Sequence, residues 1–289
     1  KAAGPMPIGR PQPRLWLGHL APSFWLLFMT ILPALQTQGT SFVMGFSQDT
    51  EQIGLFFWGY SLANQVVFLI CNNLRTVLFP TLARLNHEPV RQAEAIRKST
   101  SLMMTVLAYF CVLQAVTARP LIGLIFPQRW QGAVGVVGWV SLGMLTQPLS
   151  ILCFSLLMAQ AKYRQVMVNA AVQGALVVGC AALGCLRAGA NAESAGAWTA
   201  LGFFLGGLYS GWQMLAPLGR PWAGLARLLT KPLCMAAACG LCGQLAAAAL
   251  EPRGLLAQVL GGGLGVTLAY AAAIRLFDMG AYRELRSRI

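Results

Sequence analysis

Long apolar runs separated by short polar stretches dominate the chain. Eight such runs fall at roughly 18–44, 54–82, 100–125, 132–159, 166–186, 195–216, 231–249 and 255–276. A helix crossing a bilayer needs about 20 apolar residues, so the pattern predicts an all-α polytopic membrane protein with about eight transmembrane helices. Pro33 should kink the first run, where apolar residues up to Leu35 give way to the polar QTQGTS of 36–41. Gln147-Pro148 should break the fourth near its middle, because proline removes a backbone hydrogen bond.

The second run differs from the others. In QIGLFFWGYSLANQVVFLICNNLRTVLFPTL (52–82), Ser61, Gln65, Phe68, Asn72 and Arg75 follow one another at steps of 4, 3, 4 and 3. Helical spacing puts them on one face. The other faces are Leu, Val, Phe and Ile. A polar stripe in lipid must turn toward other helices or a wet cavity. A guanidinium inside the bilayer costs from about 3 to over ~10 kcal/mol unless it is hydrated or paired. This face should therefore point at an open side where further protein would sit. Arg75 lies toward the far end of its run, so snorkelling to the headgroups is the competing reading of it.

Composition supports the membrane assignment. Hydrophobic residues make up 57% and charged residues only 10%, against roughly 25% charged in a soluble domain. The net charge of +13 would hint at nucleic acid in a soluble chain, but no soluble region here is large enough for a basic platform. The Lys and Arg instead sit in short loops. Sixteen of the 21 fall in the N-terminal arm, 83–99, 160–165, 217–231 and the tail, whereas Arg119, Arg129, Arg187 and Arg253 fall in the alternate loops. The positive-inside rule then places both termini in the cytoplasm. Residues 1–14 are rich in Pro and Gly with no initiator Met, and read as a cytoplasmic linker to something longer.

Candidate chemistry is sparse. All eight acidic residues lie in loops, near run ends or in the tail, so a cation or a proton relay finds no buried carboxylate. His19 and His87 are too isolated for a metal site. Cys239-x-x-Cys242 has redox or zinc spacing, but it lies among small residues with no second pair and reads as helix packing. The GGGLG of 261–265 follows no strand, so it suits close backbone packing rather than a phosphate loop. No nucleophile–base pair and no metal-ligand spacing is present, so neither an enzyme nor a bound cofactor is expected.

At residues 53–85 the sequence resembles the oligosaccharide flippases of the bacterial polysaccharide-transporter family, within the multidrug/oligosaccharidyl-lipid/polysaccharide superfamily. The exit Val77-Leu78-Phe79-Pro80-Thr81-Leu82-Ala83-Arg84-Leu85 is similar to the family's V-L-F-P-x-L-(S/A)-R-L. RPLIGLIFPQRWQGAV (119–134) is similar to P-L-I-x-L-(L/I)-F-G-x-(K/R)-W, with Pro120, Phe126, Arg129 and Trp130 in place and Pro127 where glycine is usual. LLMAQAKYR (156–164) is similar to the A-x-G-(R/K) exit, with Ala161 replacing the glycine. The resemblance covers about 15–165.

The resemblance implies two six-helix lobes around a cavity. Residues 15–216 would be the second lobe and 217–289 two extra helices with a basic tail; the first lobe would be absent and would be a partner. It further implies transport of an undecaprenyl-diphosphate-linked oligosaccharide between leaflets of the bacterial inner membrane, for surface polysaccharide, by alternating access. In that reading Arg75 holds the diphosphate through its fork of donors. Asn72, Asn73, Asn64, Gln65 and Gln36 replace water around sugar hydroxyls. The lipid tail stays in the bilayer, since about 0.8 kcal/mol per methylene opposes its removal. Alternatives are another transporter of the superfamily, such as a peptidoglycan-precursor flippase or a drug antiporter, or a membrane scaffold or glycan enzyme.

Overall fold

A computed structural model describes residues 49–85, 88–186, 191–218 and 221–277, with positions 27, 31, 32, 34, 36 and 38–46 ahead of them. Every regular element among the described residues is helical. The first predicted run, with its expected kink at Pro33, lies largely outside them, as do the 1–14 arm and the basic tail. The described positions from 27 to 45 are helical.

Eight α-helices follow: α1 Thr50–Arg84, α2 Pro89–Ile125, α3 Val134–Gly143, α4 Gln147–Ala159, α5 Tyr163–Cys185, α6 Ala192–Leu215, α7 Pro221–Ala249 and α8 Leu255–Phe277. Short 3-10 turns cover Gln128–Ala133 and Met144–Thr146. α3 and α4 together form the fourth predicted span, and the expected break falls at Met144–Thr146, directly before Gln147-Pro148. Pro148 lies in the first turn of α4, where its missing N–H has no helical acceptor to lose. Thr146, fully buried at the break, donates to the carbonyl of Phe203 or Phe204 on α6.

Among the described residues, six helical stretches are long and apolar enough to cross a membrane: Thr50–Asn73, Val90–Ile125, Gln128–Ala159, Tyr163–Cys185, Pro221–Ala249 and Leu255–Arg275. α6 is also long enough, at 24 residues, but its glycines, Ser194, Ser210 and Gln213 make it less apolar. The physical reason is its position. α6 packs against α3, α4, α5 and α7 and reaches α1. A helix enclosed by protein need not match lipid. Gly196, Gly202 and Gly207 let neighbouring backbones come close, and Gly211 makes room for the Leu149 and Leu225 side chains. α6 begins with a reciprocal capping box: the Ser194 N–H donates to Asn191 Oδ1 at 2.8 Å and the Asn191 N–H donates to Ser194 Oγ at 3.0 Å.

Two stretches read as loops are helical instead. Of the charged segment 83–99, residues 83–84 end α1 and 89–99 begin α2. α2 starts at Pro89, and its first turns carry the ion pairs Arg91–Glu88 and Lys98–Glu94. The segment 217–231 is mostly the start of α7. Apolarity marks where lipid begins, not where a helix begins. At 1.5 Å per residue α2's 37 residues reach about 55 Å, well beyond a hydrocarbon core of about 30 Å. Pro80, Pro120 and Pro232 remain inside helices.

The helices run up and down. One end gathers the α1–α2 turn, the α4–α5 turn and the α6–α7 connection. The other gathers the start of α1, the α2–α3 connection, the start of α6 and the α7–α8 turn. There, the Ala192 N–H donates to Gln52 Oε1 at 2.9 Å. α7 and α8 form a hairpin whose two helices both pack on α2. Tyr109 and Thr267 share a hydroxyl hydrogen bond of 3.0 Å across that seam, and the Tyr270 hydroxyl donates to the Thr105 carbonyl.

Candidate functional site

α1 divides into two faces. Phe56, Tyr60, Ala63, Val67 and Cys71 recur at helical spacing and are buried against the other helices. Phe57, Ser61, Gln65 and Phe68 lie on the opposite side and are exposed. The polar stripe read from the sequence thus lies on the outer surface of the described helices, neither wedged into the core nor covered. Asn72 on the same face is half-buried, and Asn73 and Asn64 flank it, the first exposed and the second half-buried.

Hydrogen bonding separates these polar groups into two kinds. The Ser61 hydroxyl donates to its own helix at the Phe57 carbonyl, 2.7 Å away, and Thr76 donates to the Asn73 carbonyl at 2.8 Å. Such hydroxyls are satisfied without leaving the helix. The amides of Asn64, Gln65, Asn72 and Asn73 make no side-chain hydrogen bond among the described residues. An amide moved from water into hydrocarbon without a partner costs roughly 2–7 kcal/mol. Such amides on a membrane helix are stable only where water, headgroups or another polar group reaches them.

Two predicted residues stand apart. Arg75 continues α1, and its side chain lies outside the described residues. Gln36 is half-buried in the leading helical segment, where its carbonyl accepts from Thr40 Oγ1 at 3.2 Å. A Cβ placed on Gly174 of α5 would lie 3.7 Å from Gln36 Cγ, so Gln36 packs against α5.

The 119–134 motif assembles at the other end of the bundle. Trp58 of α1 packs on Phe126 and Trp130, with ring centroids 4.7 and 4.6 Å away, and the Arg129 guanidinium lies 5.5 Å from the Trp130 ring. Pro127, standing where glycine is usual, has φ of −56°, a value that proline's ring favours. The motif therefore packs α2 onto α1.

Two features escaped the sequence reading. The first is a buried polar cluster between α5 and α6. Gln173 Nε2 donates to Ser210 Oγ at 2.6 Å, and Ser210 Oγ lies 3.0 Å from both Asn169 Oδ1 and the Gly206 carbonyl. The second is a cavity of about 1040 Å³ where the first turns of α2, the α4–α5 turn and the α6–α7 connection meet. Its polar lining includes Gln92, Glu94, Arg97, Lys98, Lys162, Gln165, Gln213 and Arg227. These residues are scattered over more than a hundred positions, and only the shared end of the helices brings them together. The one sequence signal was the recurrence of Lys, Arg and Gln just outside successive apolar runs.

The helices and their apolar lengths define the class: an all-α, multi-pass membrane protein. Residues 15–135 match a family model described as polysaccharide biosynthesis protein. That stretch includes α1 with its exposed polar face and all of α2, and it is the part of the chain similar to polysaccharide biosynthesis proteins. No curated protein and no solved structure matches the chain.

Proposed function

We propose that the protein moves a lipid-linked oligosaccharide across the bacterial inner membrane for surface polysaccharide biosynthesis, as one lobe of a flippase. The observation that carries this reading is the outward polar face of α1, with amides at Gln65, Asn72 and Asn73 that no described residue satisfies. A lipid-facing helix has no use for them, and a lobe facing a polar path does. The similarity of residues 15–135 to polysaccharide biosynthesis proteins supports a saccharide as the cargo.

In this reading the glycan head travels along the α1 face while the prenyl tail stays in lipid. Asn64, Gln65, Asn72, Asn73 and Gln36 exchange hydrogen bonds with sugar hydroxyls in place of water. Arg75 attracts the diphosphate. No bond is made or broken, so the protein lowers a barrier by solvation alone. The partner lobe would close the other wall. The basic end would face the cytoplasm, in keeping with the positive-inside rule.

The test replaces Arg75 by Ala and by Lys in the gene product expressed in its own host, scored by export of surface glycan. R75A should lower export at least tenfold. R75K, which keeps the charge and loses the fork, should lower it less. Normal export with both variants would leave Arg75 a snorkelling residue and remove the proposed diphosphate contact.

A further inference from the structure

The cavity at the basic end is unrelated to the α1 face and carries its own chemistry. We propose that it holds the phosphate-bearing headgroup of an anionic membrane lipid. The inference does not rest on the transport reading.

Charge is the first argument. Four cations line the cavity, Arg97, Lys98, Lys162 and Arg227, against the single carboxylate of Glu94. That carboxylate is already paired with Lys98 at 2.9 Å. Arg97, Lys162 and Arg227 have no ion-pair partner among the described residues. Four cations from three separate elements therefore share one cavity with a single carboxylate, a net positive surplus that makes an electrostatic site for an anion.

Depth is the second. Arg97 and Lys98 sit where the charged start of α2 gives way to the apolar run of 100–125. Lys162 immediately precedes α5, and Arg227 lies in the second turn of α7. All three elements thus meet the lipid boundary at the same level, which is the level of headgroups. The lining supplies the third argument. Ile96, Leu156, Leu157, Met214, Leu215 and Leu228 line the same cavity as the cations. A free inorganic anion has no use for that surface, whereas a lipid offers a charged head and apolar carbons next to it.

The floor is held in place. Gln92 is buried and bridges two elements: its Nε2 donates to the Leu82 carbonyl at 3.0 Å, and its Oε1 accepts from Gln160 Nε2 at 3.1 Å. The end of α1, the start of α2 and the α4–α5 turn are thereby fixed relative to one another, so the elements that carry Arg97 and Lys162 are held together before a ligand arrives.

The experiment measures lipid binding by the purified full chain in detergent, by native mass spectrometry, with phosphatidylglycerol as probe and phosphatidylcholine as the zwitterionic comparison. Wild type should retain phosphatidylglycerol in preference. Each interfacial Lys or Arg is worth about fivefold in binding to anionic lipid, so R97Q and R227Q should each weaken retention about fivefold. The triple variant R97Q/K162Q/R227Q should weaken it about a hundredfold. R91Q, at the same end but outside the cavity and paired with Glu88, should change nothing. Equal retention of the two lipids would overturn the proposal, as would an R91Q loss equal to that of R227Q. Inorganic phosphate displacing the lipid at matching concentrations would overturn it too, by assigning the cavity to a soluble anion. If the triple variant does not purify, the two single variants decide the matter.

Discussion

Ala161 holds a backbone conformation that alanine disfavours. Its φ is +54°, in the left-handed region, and no other non-glycine among the described residues has positive φ. The reason is the way α4 ends. The Lys162 N–H donates to the Leu157 carbonyl at 2.9 Å and the Ala161 N–H to the Met158 carbonyl at 3.0 Å. This nested pair is the Schellman arrangement, in which the residue after the C-cap turns left-handed, usually as glycine. An L-residue there costs roughly 1–2 kcal/mol relative to the right-handed region. Glycine removes that cost but gives the unfolded chain more freedom, worth about 0.5–1 kcal/mol. Ala161 is exposed, so its methyl group contributes no packing. Ala161→Gly should therefore stabilise the protein by about 0.5–1 kcal/mol. Ala161→Val should destabilise it by at least about 1 kcal/mol, since a β-branched side chain fits the left-handed region worse still. The assay is equilibrium unfolding of the purified protein in mixed micelles, followed by tryptophan fluorescence. Ala161→Gly equal to or less stable than wild type would refute the reasoning.

Other substitutions follow from the packing. A Cβ on Gly143 would run into the backbone of Ala200 on α6, so Gly143→Ala should cost about 1–3 kcal/mol in the same unfolding assay. Gly138, on the same helix, has nothing within 4 Å of the equivalent position, so Gly138→Ala should be neutral or better by up to about 1 kcal/mol. Gln92→Ala would leave the Leu82 carbonyl and the Gln160 amide without their partner, a loss of about 1–3 kcal/mol. It should also weaken phosphatidylglycerol retention, because the cavity floor loses its tie.

Several particulars were legible before any coordinates. The polar stripe along 52–82 placed Ser61, Gln65 and Phe68 on one face, and all three are exposed, because a helix repeats its faces locally; the buried face of Phe56, Tyr60, Ala63, Val67 and Cys71 came only with the structure. Gln147-Pro148 announced the break in the fourth span. Ala161 was marked by the glycine expected at its position, and its left-handed backbone shows why glycine belongs there. The loop boundaries at 83–99 and 217–231 were misjudged, since hydropathy reports the solvent around a helix and says little about where the helix starts.

The sequence by itself determined the solvent this chain folds in, the order of its apolar helices, and the polar side of α1. Each is a local property, readable within a few turns of one helix. Tertiary structure alone decided that α6 sits among its neighbours, that Asn169, Gln173 and Ser210 satisfy one another, and that Arg97, Lys162 and Arg227 line one cavity. Those facts join residues from separate helices, and periodicity along one helix carries no information about which neighbour it will meet. That choice is made by close packing of small residues and by hydrogen bonds between helices, which act only once the helices are side by side.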